Sequence, residues 1–585
     1  MTAILLLATR APAAAQSQDT SQPSASGNTF RIAGTVVSKV DGHPLARARV
    51  TVRDARDAQK FESQVTSEDG RFQFTGVPAG KYSLTGAKRG FIAASYDQHE
   101  QFSTAIVTGA GLDTESLILQ LAPAAIIFGK VLDESGEPVR RATVSVYFED
   151  HSSGVDQIRQ THVTQTDDLG AYEITPLTPG TYFLSASAKP WYAIHPTSDS
   201  VAGSKATGTA NADSTNFDRS LDVAYPVTYY ADVTDTDSAT PIPIRGGERL
   251  QVEIHLNPVP ALHLFFRVHN NGNRGDIFPR LEQPSFDGST FLQSDIVRTV
   301  SPGLVEITGV PAGRYNVHFY GAGAGTQMNG IEVNKDGEEI DTSAAEVLST
   351  VKLSVRVTGE NSLPPGLVVA LRSAHQAMMG PRQLSAKGEA GFTEIPPGKY
   401  EVVLLGTART YSVAHISAEG AEVSGHSFTV AAGSTPSVSV TLVGGSLNVE
   451  GTAKRAGTPF AGAMVVLVPK DPEDNADLFR RDQSDLDGTF SLRNVVPGSY
   501  TILAIENGWE LNWSQPAVIA AYMSHGRTIQ VGNPAGRTMS LAEAVEVQSK
   551  QIRPQRKFHV TCSTKRHTRA IPSCWGVRKA KRPTA

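Results

Sequence analysis

Apolar and polar residues alternate in short runs along most of this 585-residue chain. Phe72 and Phe74, Tyr172 and Ile174, Val305 and Ile307, and Phe490 and Leu492 are each separated by one polar position, with Ala390 and Phe392 as a weaker case. A period of two puts such residues on one face of a β-strand, because successive side chains point to opposite sides of the pleat. Each run follows a glycine. A second glycine comes ten residues after the first, and a tyrosine two residues later. The copies are Gly70, Gly80, Tyr82; Gly170, Gly180, Tyr182; Gly303, Gly313, Tyr315; Gly388, Gly398, Tyr400; and Gly488, Gly498, Tyr500. Pro78, Pro179, Pro311, Pro397 and Pro497 stand one or two places before the second glycine. The tyrosines are 100, 133, 85 and 100 residues apart, the period of a whole domain rather than of a solenoid unit.

The local chemistry fits hairpins. Asp69-Gly70 and Asp487-Gly488 pair a local hydrogen-bond acceptor with a residue that tolerates positive φ. The tyrosine then opens the next strand, as in Tyr82-Ser83-Leu84. Upstream lies a strand–turn–strand piece: Ile32–Val36, Asp41-Gly42-His43-Pro44, Ala48–Val52 in the first copy. Ile127–Val131, Gly136-Glu137-Pro138, Ala142–Val146 repeat it in the second, and Leu447–Gly451, Gly457-Thr458-Pro459, Ala463–Leu467 in the fifth. The third and fourth copies keep the strands without the Gly-x-Pro turn.

Together these motifs resemble the carboxypeptidase regulatory-like domain, and are similar also to collagen-adhesin B-type stalk domains. The resemblance spans residues 30–540. It implies an all-β chain, a tandem array of about five seven-stranded immunoglobulin/prealbumin-like β-sandwiches grouped with carbohydrate-binding-like folds. The expected division is a signal peptide at 1–15, a linker at 16–29, and sandwiches at 30–122, 123–260, 261–350, 351–445 and 446–545. The second sandwich carries an inserted loop at 196–222, rich in Ser, Thr, Asp and Ala. Residues 546–585 are expected to be a basic, disordered tail. The signal peptide rests on the apolar run Ile4–Ala8 and on Ala13-x-Ala15. Short joints between modules predict a semi-rigid rod.

Length supports several domains, since single cores stop growing near ~250–300 residues. Charge divides the chain. Residues 550–585 hold 11 Lys/Arg and no Asp or Glu, leaving 42 basic and 58 acidic side chains elsewhere, a net of −16. An acidic body argues against nucleic acid as a partner. Cys562 and Cys574 both lie in the basic segment, so the sandwiches must be held by packing. No stretch of ~18 apolar residues follows the start, and no transmembrane helix is expected.

Motifs for catalysis are missing. None of the 15 histidines is followed by Glu three residues later, the pair a zinc carboxypeptidase needs. A nucleophile elbow and a phosphate-binding glycine loop are also absent. No catalytic residue, metal ligand or cofactor is assigned. Asp482, Asp485 and Asp487, like Asp167 and Asp168, precede a repeat glycine and read as turn chemistry rather than a calcium loop, whose twelfth position would here be Arg493. The candidate ligand-binding residues are aromatic: Trp191, Tyr192, Tyr229, Tyr230, Trp509 and Trp513, with Asn507 and Asn512 able to bond hydroxyls. Sugar rings stack on exposed aromatic faces. The competing reading is that these rings cap cores or fill joints. The expected function is an exported, non-catalytic binding or scaffold protein of a bacterial cell envelope, its partner a polysaccharide or an envelope protein. A pure spacer or adhesin stalk is one alternative. An accessory fragment of a peptidase is another.

Overall fold

The computed structural model describes residues 29–549, apart from residue 110 and segments 198–217, 268–277, 293–295, 321–324, 359–362, 364–365, 374–377, 406–410, 445–446 and 533–536. The expected signal peptide, nearly all of the linker, most of the inserted loop and the chain from 550 onward lie outside the described residues.

The alternating runs are strands, and the chain is nearly all β. One wiring recurs five times. The first strand of each unit pairs antiparallel with the strand that follows the first repeat glycine. It pairs parallel with the closing strand. In the first unit these are Phe30–Ser38, Arg71–Val77 and Leu117–Leu121. In the second they are Ala125–Leu132, Ala171–Leu177 and Arg249–His255. Leu262–Arg267, Leu304–Val310 and Glu338–Asp341 repeat the pattern, as do Ser349–Val357, Glu389–Ile395 and Ser437–Gly444. In the fifth unit they are Leu447–Arg455, Thr489–Val495 and Thr538–Ser540. The facing sheet is built on the tyrosine strand, for example Gly80–Ala87 against Arg49–Asp54 and Gly398–Leu405 against Val368–Ser373. Each pair of sheets buries its alternating residues between them, as in other β-sandwiches. Ile32, Phe74, Leu84 and Leu119 do so in the first unit, and Leu264, Phe266, Val317 and Phe319 in the third.

The repeat residues have a common structural job. Each tyrosine ring lies in the core, and its hydroxyl donates to a backbone carbonyl four residues back. The acceptors are Pro78 for Tyr82 (3.1 Å), Thr178 for Tyr182 (2.8 Å), Pro311 for Tyr315 (2.8 Å), Pro396 for Tyr400 (2.7 Å) and Val496 for Tyr500 (2.8 Å). The tyrosine therefore ties down the turn from which its own strand departs, much as a tyrosine corner does in immunoglobulin-like sandwiches. Burial raises the hydroxyl pKa in all five, to about 12 for Tyr400 and Tyr500. The first glycine is equally constrained. Gly388 has φ +81°, and a Cβ there would lie 2.2 Å from the Val355 carbonyl oxygen. Its own carbonyl accepts the Val355 N–H at 2.8 Å, so the turn is pressed against the first strand.

Three features depart from expectation. Pro516–Met523 forms a helix, with Pro at its first position and Ile519 and Tyr522 buried. The strand Val545–Gln548 extends into the range expected to be disordered tail, because Val545 and Val547 alternate into the fifth core. Contacts are also not confined to chain neighbours, as a rod of sequential modules requires: the fifth sandwich packs on the first and the second.

Candidate functional site

One cluster of charged and aromatic side chains lies where the first, second and fifth sandwiches meet. Arg480–Gln483 is the edge strand of a sheet in the fifth unit. Arg481 leaves it toward the first unit, where it grips both carboxylate oxygens of Glu100 (3.2 and 2.7 Å). It also donates to the Ser152 carbonyl of the second unit at 3.0 Å. Its guanidinium carbon lies 4.0 Å from the centre of the Trp513 ring, and the side chain is only 5% exposed. A planar five-donor fork suits this combination of bidentate, carbonyl and ring contacts.

Polar groups seal the rest of the contact. Gln483 Nε2 donates to the Asp97 carbonyl (2.5 Å) and to Thr104 Oγ1 (2.8 Å). Lys81 Nζ donates to Asp485 Oδ2 at 2.6 Å, and the Ala105 N–H donates to Asp485 Oδ1 at 3.0 Å. Leu486, next in the turn, packs against the first core. Burial raises the Asp485 pKa, with Lys81 acting in the opposite direction. Asp167, at the matching place in the second copy, instead accepts the N–H groups of Leu169 and Ala171 in its own turn. In the fifth copy Asp487 takes over that local task by accepting the Thr489 N–H at 3.0 Å. Burial pushes Asp482 up to about 6, against the hydrogen bond from the Ser491 N–H.

The predicted aromatic residues divide accordingly. Trp509 is 6% exposed, stacked on His99 at 5.2 Å and tilted against Phe102 at 5.5 Å, both from the first unit. Trp513 is 9% exposed. It meets the second unit at Gly154, where a Cβ would lie 2.6 Å from its ring. Asn512 donates to Asp156 Oδ2 of the second unit at 2.6 Å. Tyr229 is buried in the joint between the second and third units. There Phe286 inserts among Tyr147, Phe183 and Tyr229, and the Tyr229 hydroxyl donates to Ser285 Oγ at 3.0 Å. Tyr230 is half-buried against the second core. The expectation of open stacking faces is therefore corrected for Tyr229, Trp509 and Trp513: neighbouring units occupy those faces. Trp191 is different. It is 85% exposed, with Tyr192 edge-on to it at 5.8 Å. Tyr192 donates its hydroxyl to Glu134. The structure brings Trp191 and Tyr192 together but places neither beside the fifth-unit pair.

Among the described residues, no group of three or more His, Cys, Asp or Glu side chains is placed to hold a metal ion. No helix among them is long and apolar enough to cross a membrane.

The twofold recurrence of strand wiring, tyrosine bond and Gly-x-Pro turn at the start of the chain has a counterpart among known families. Residues 31–111 and 126–212 match the carboxypeptidase regulatory-like domain. The matched segments are the first two copies. Comparison with curated proteins finds no match. Similar solved structures include the TIE protein of Bacillus anthracis, at 10% identity over 71% of this chain and 74% of that one, TM-score 0.17. They also include the minor pilin GBS52 of Streptococcus agalactiae, at 13% identity over 39% and 96%, TM-score 0.20. A third is BcpA, the major pilin subunit of Bacillus cereus, at 9% identity over 71% and 99%, TM-score 0.14. Both matched segments contain the tyrosine (Tyr82, Tyr182), the turn glycine (Gly70, Gly170) and a buried threonine (Thr66, Thr166) that accepts a backbone N–H (Ala48, Ala142). Lys81, Glu100 and Ser152, which reach the fifth unit, lie in the same segments, but each is used by one copy alone.

Proposed function

We propose that this chain is a non-catalytic, exported multi-domain scaffold of a bacterial cell envelope. Its five sandwiches, divided near 30–122, 123–260, 261–350, 351–445 and 446–545, act as separate folding units. The observation that carries this reading is where the reactive and aromatic side chains go. Arg481, Asp485, Trp509, Trp513 and Tyr229 are all engaged by a neighbouring sandwich, an arrangement suited to fixing units relative to one another. Separate cores in each unit support the division. The scaffold reading is tested by polysaccharide and peptidoglycan binding with the exported chain. It expects no saturable binding and no hydrolysis of either material.

A second reading keeps a carbohydrate site, moved to the one predicted pair that stays open. Trp191 offers a free ring face, and Tyr192 is oriented by Glu134, which also accepts from Tyr225 at 2.9 Å. Saturable polysaccharide binding that is lost in Trp191→Ala favours this reading over the pure scaffold.

A further inference from the structure

Besides the Phe286 plug, the second and third sandwiches meet through a chain of ionisable side chains. Asp222 precedes the two-residue strand Val223–Ala224, which pairs antiparallel with Val259–Pro260, the segment leading from one unit into the next. Asp222 Oδ1 lies 2.8 Å from His195 Nδ1, and its Oδ2 lies 2.9 Å from His263 Nε2. A hydrogen bond from the Ile194 N–H to the Leu221 carbonyl (2.9 Å) brings His195 there. His263 stands in the first strand of the third sandwich, and its other ring nitrogen, Nδ1, is 3.8 Å from Glu306 Oε1. Glu306 is fully buried and accepts from Arg298 Nε at 2.6 Å. Asp336 accepts the His263 backbone N–H at 3.0 Å. Two carboxylates thus face the imidazole, one at each ring nitrogen, and a third binds its backbone. Arg298 pairs with Glu306, and His195 shares Asp222 with His263.

We propose that His263 is a proton-operated clamp between the second and third sandwiches. With both nitrogens protonated it donates to Asp222 and faces Glu306 with a second N–H, so opposite charges close the joint from both sides. With one proton removed, a single N–H remains for Asp222, and a lone pair faces the Glu306 carboxylate. The electrostatics agree in direction. The bond to Asp222 raises the His263 pKa, burial opposes it, and the charges of Asp222, Asp336 and Glu306 add to the rise. Burial pushes Asp222 up, but bonds from His195 and His263 outweigh it, leaving that carboxyl below its usual value. The sign follows from linkage. A histidine raised on folding contributes stability that is complete below its ordinary value near 6.5, and that stability is lost as pH rises through the folded value. Phe286 among Tyr147, Phe183 and Tyr229 supplies an apolar contact that does not titrate in this range, so the clamp tunes a joint that persists. It would operate in a ligand-binding protein as well as in a spacer.

The test is amide hydrogen exchange on the full chain, following peptides over 222–225 and 259–263 from pH 6 to pH 9, corrected for intrinsic rates. Wild type should lose protection as pH rises, by at most about tenfold per pH unit, the signature of one proton. His263→Gln should exchange at the faster level throughout, with no slope. His255→Gln, which removes an exposed His–Asp pair elsewhere in the second unit, should keep the wild-type slope. Exchange of the His263 ring C2 proton reads the titration directly. Its midpoint should lie above 6.5 in wild type and fall in Asp222→Asn. A flat wild-type profile, a slope that survives in His263→Gln, or a midpoint unmoved by Asp222→Asn overturns the proposal.

Discussion

Replacing Arg481 by alanine is the sharpest perturbation of the contact between the first and fifth sandwiches. The guanidinium is 5% exposed, and its Glu100 partner is 19% exposed, so the substitution strands a largely buried carboxylate. Removing one partner of a buried ion pair costs about 3–5 kcal/mol, and the partial exposure of Glu100 favours the lower end. Loss of the cation over Trp513 adds about 1 kcal/mol. At 1.4 kcal/mol per factor of ten, a cost of about 3–4 kcal/mol moves the closed-to-open ratio by roughly 100- to 1000-fold. The readout is built in. The chain has four tryptophans, and a Trp191→Phe/Trp575→Phe background leaves only Trp509 and Trp513. Both are buried in this contact, so opening should shift their emission to the red and increase quenching by acrylamide. Glu100→Ala should do the same, and the double variant should show a coupling of about 1.5–3 kcal/mol. If Arg481→Ala leaves the emission blue and protected, with zero coupling to Glu100, the pair does not hold these sandwiches together.

The remaining predictions concern the units themselves. Tyr315→Phe removes the hydroxyl that serves the Pro311 carbonyl and should lower the stability of the third sandwich by about 0.5–1.5 kcal/mol, read as faster amide exchange in Gly313–Tyr320. Gly388→Ala should disrupt the fourth sandwich, since its Cβ meets the Val355 carbonyl. Gly42→Ala has a similar φ of +73° but open space around it, so it should cost only about 1 kcal/mol, and calorimetry separates the two. Asp482 rises to about 6 in the fold, so the fifth sandwich binds that proton more tightly than the unfolded chain does. Its stability should therefore fall as pH climbs from about 4 to 6, by about 2–3 kcal/mol, and Asp482→Asn should flatten that slope in denaturant titrations.

How far the sequence could be read depended on the range of the interaction. The period-two runs and the glycine–tyrosine spacing act within a few residues, so the strand after each first glycine and the strand opened by each tyrosine were legible in all five copies. Asp487 reads correctly as a turn residue for the same reason. The helix Pro516–Met523 was missed because its eight residues are too few for a clear period, although Pro516 at its first position was a usable signal. The joints were not legible. Lys81 and Asp485 are 404 residues apart, and although Asp487 stands where the second copy has Leu169 and frees Asp485 from its own turn, nothing local names the partner it then takes. The aromatic pairs were found, but a single sequence cannot tell a ring that faces solvent from one that faces another domain.

The five copies nevertheless supply a comparison that a single domain lacks. Positions repeated in every copy, the tyrosines and the glycines before them, all act within their own sandwich. Contacts between sandwiches are made at positions where the copies differ. The strand preceding the Asp-Gly turn is Phe61–Val65 in the first unit and Gln157–Gln165 in the second, both largely exposed edges. In the fifth unit the corresponding strand is Arg480–Gln483, shorter, with Arg481 and Gln483 turned into the first sandwich. An exposed edge offers unpaired backbone groups to any other strand. Covering it with a neighbouring unit closes that option and fixes the neighbour at once. The edge strands of the first two units stay exposed at Phe61, Val65 and Val163.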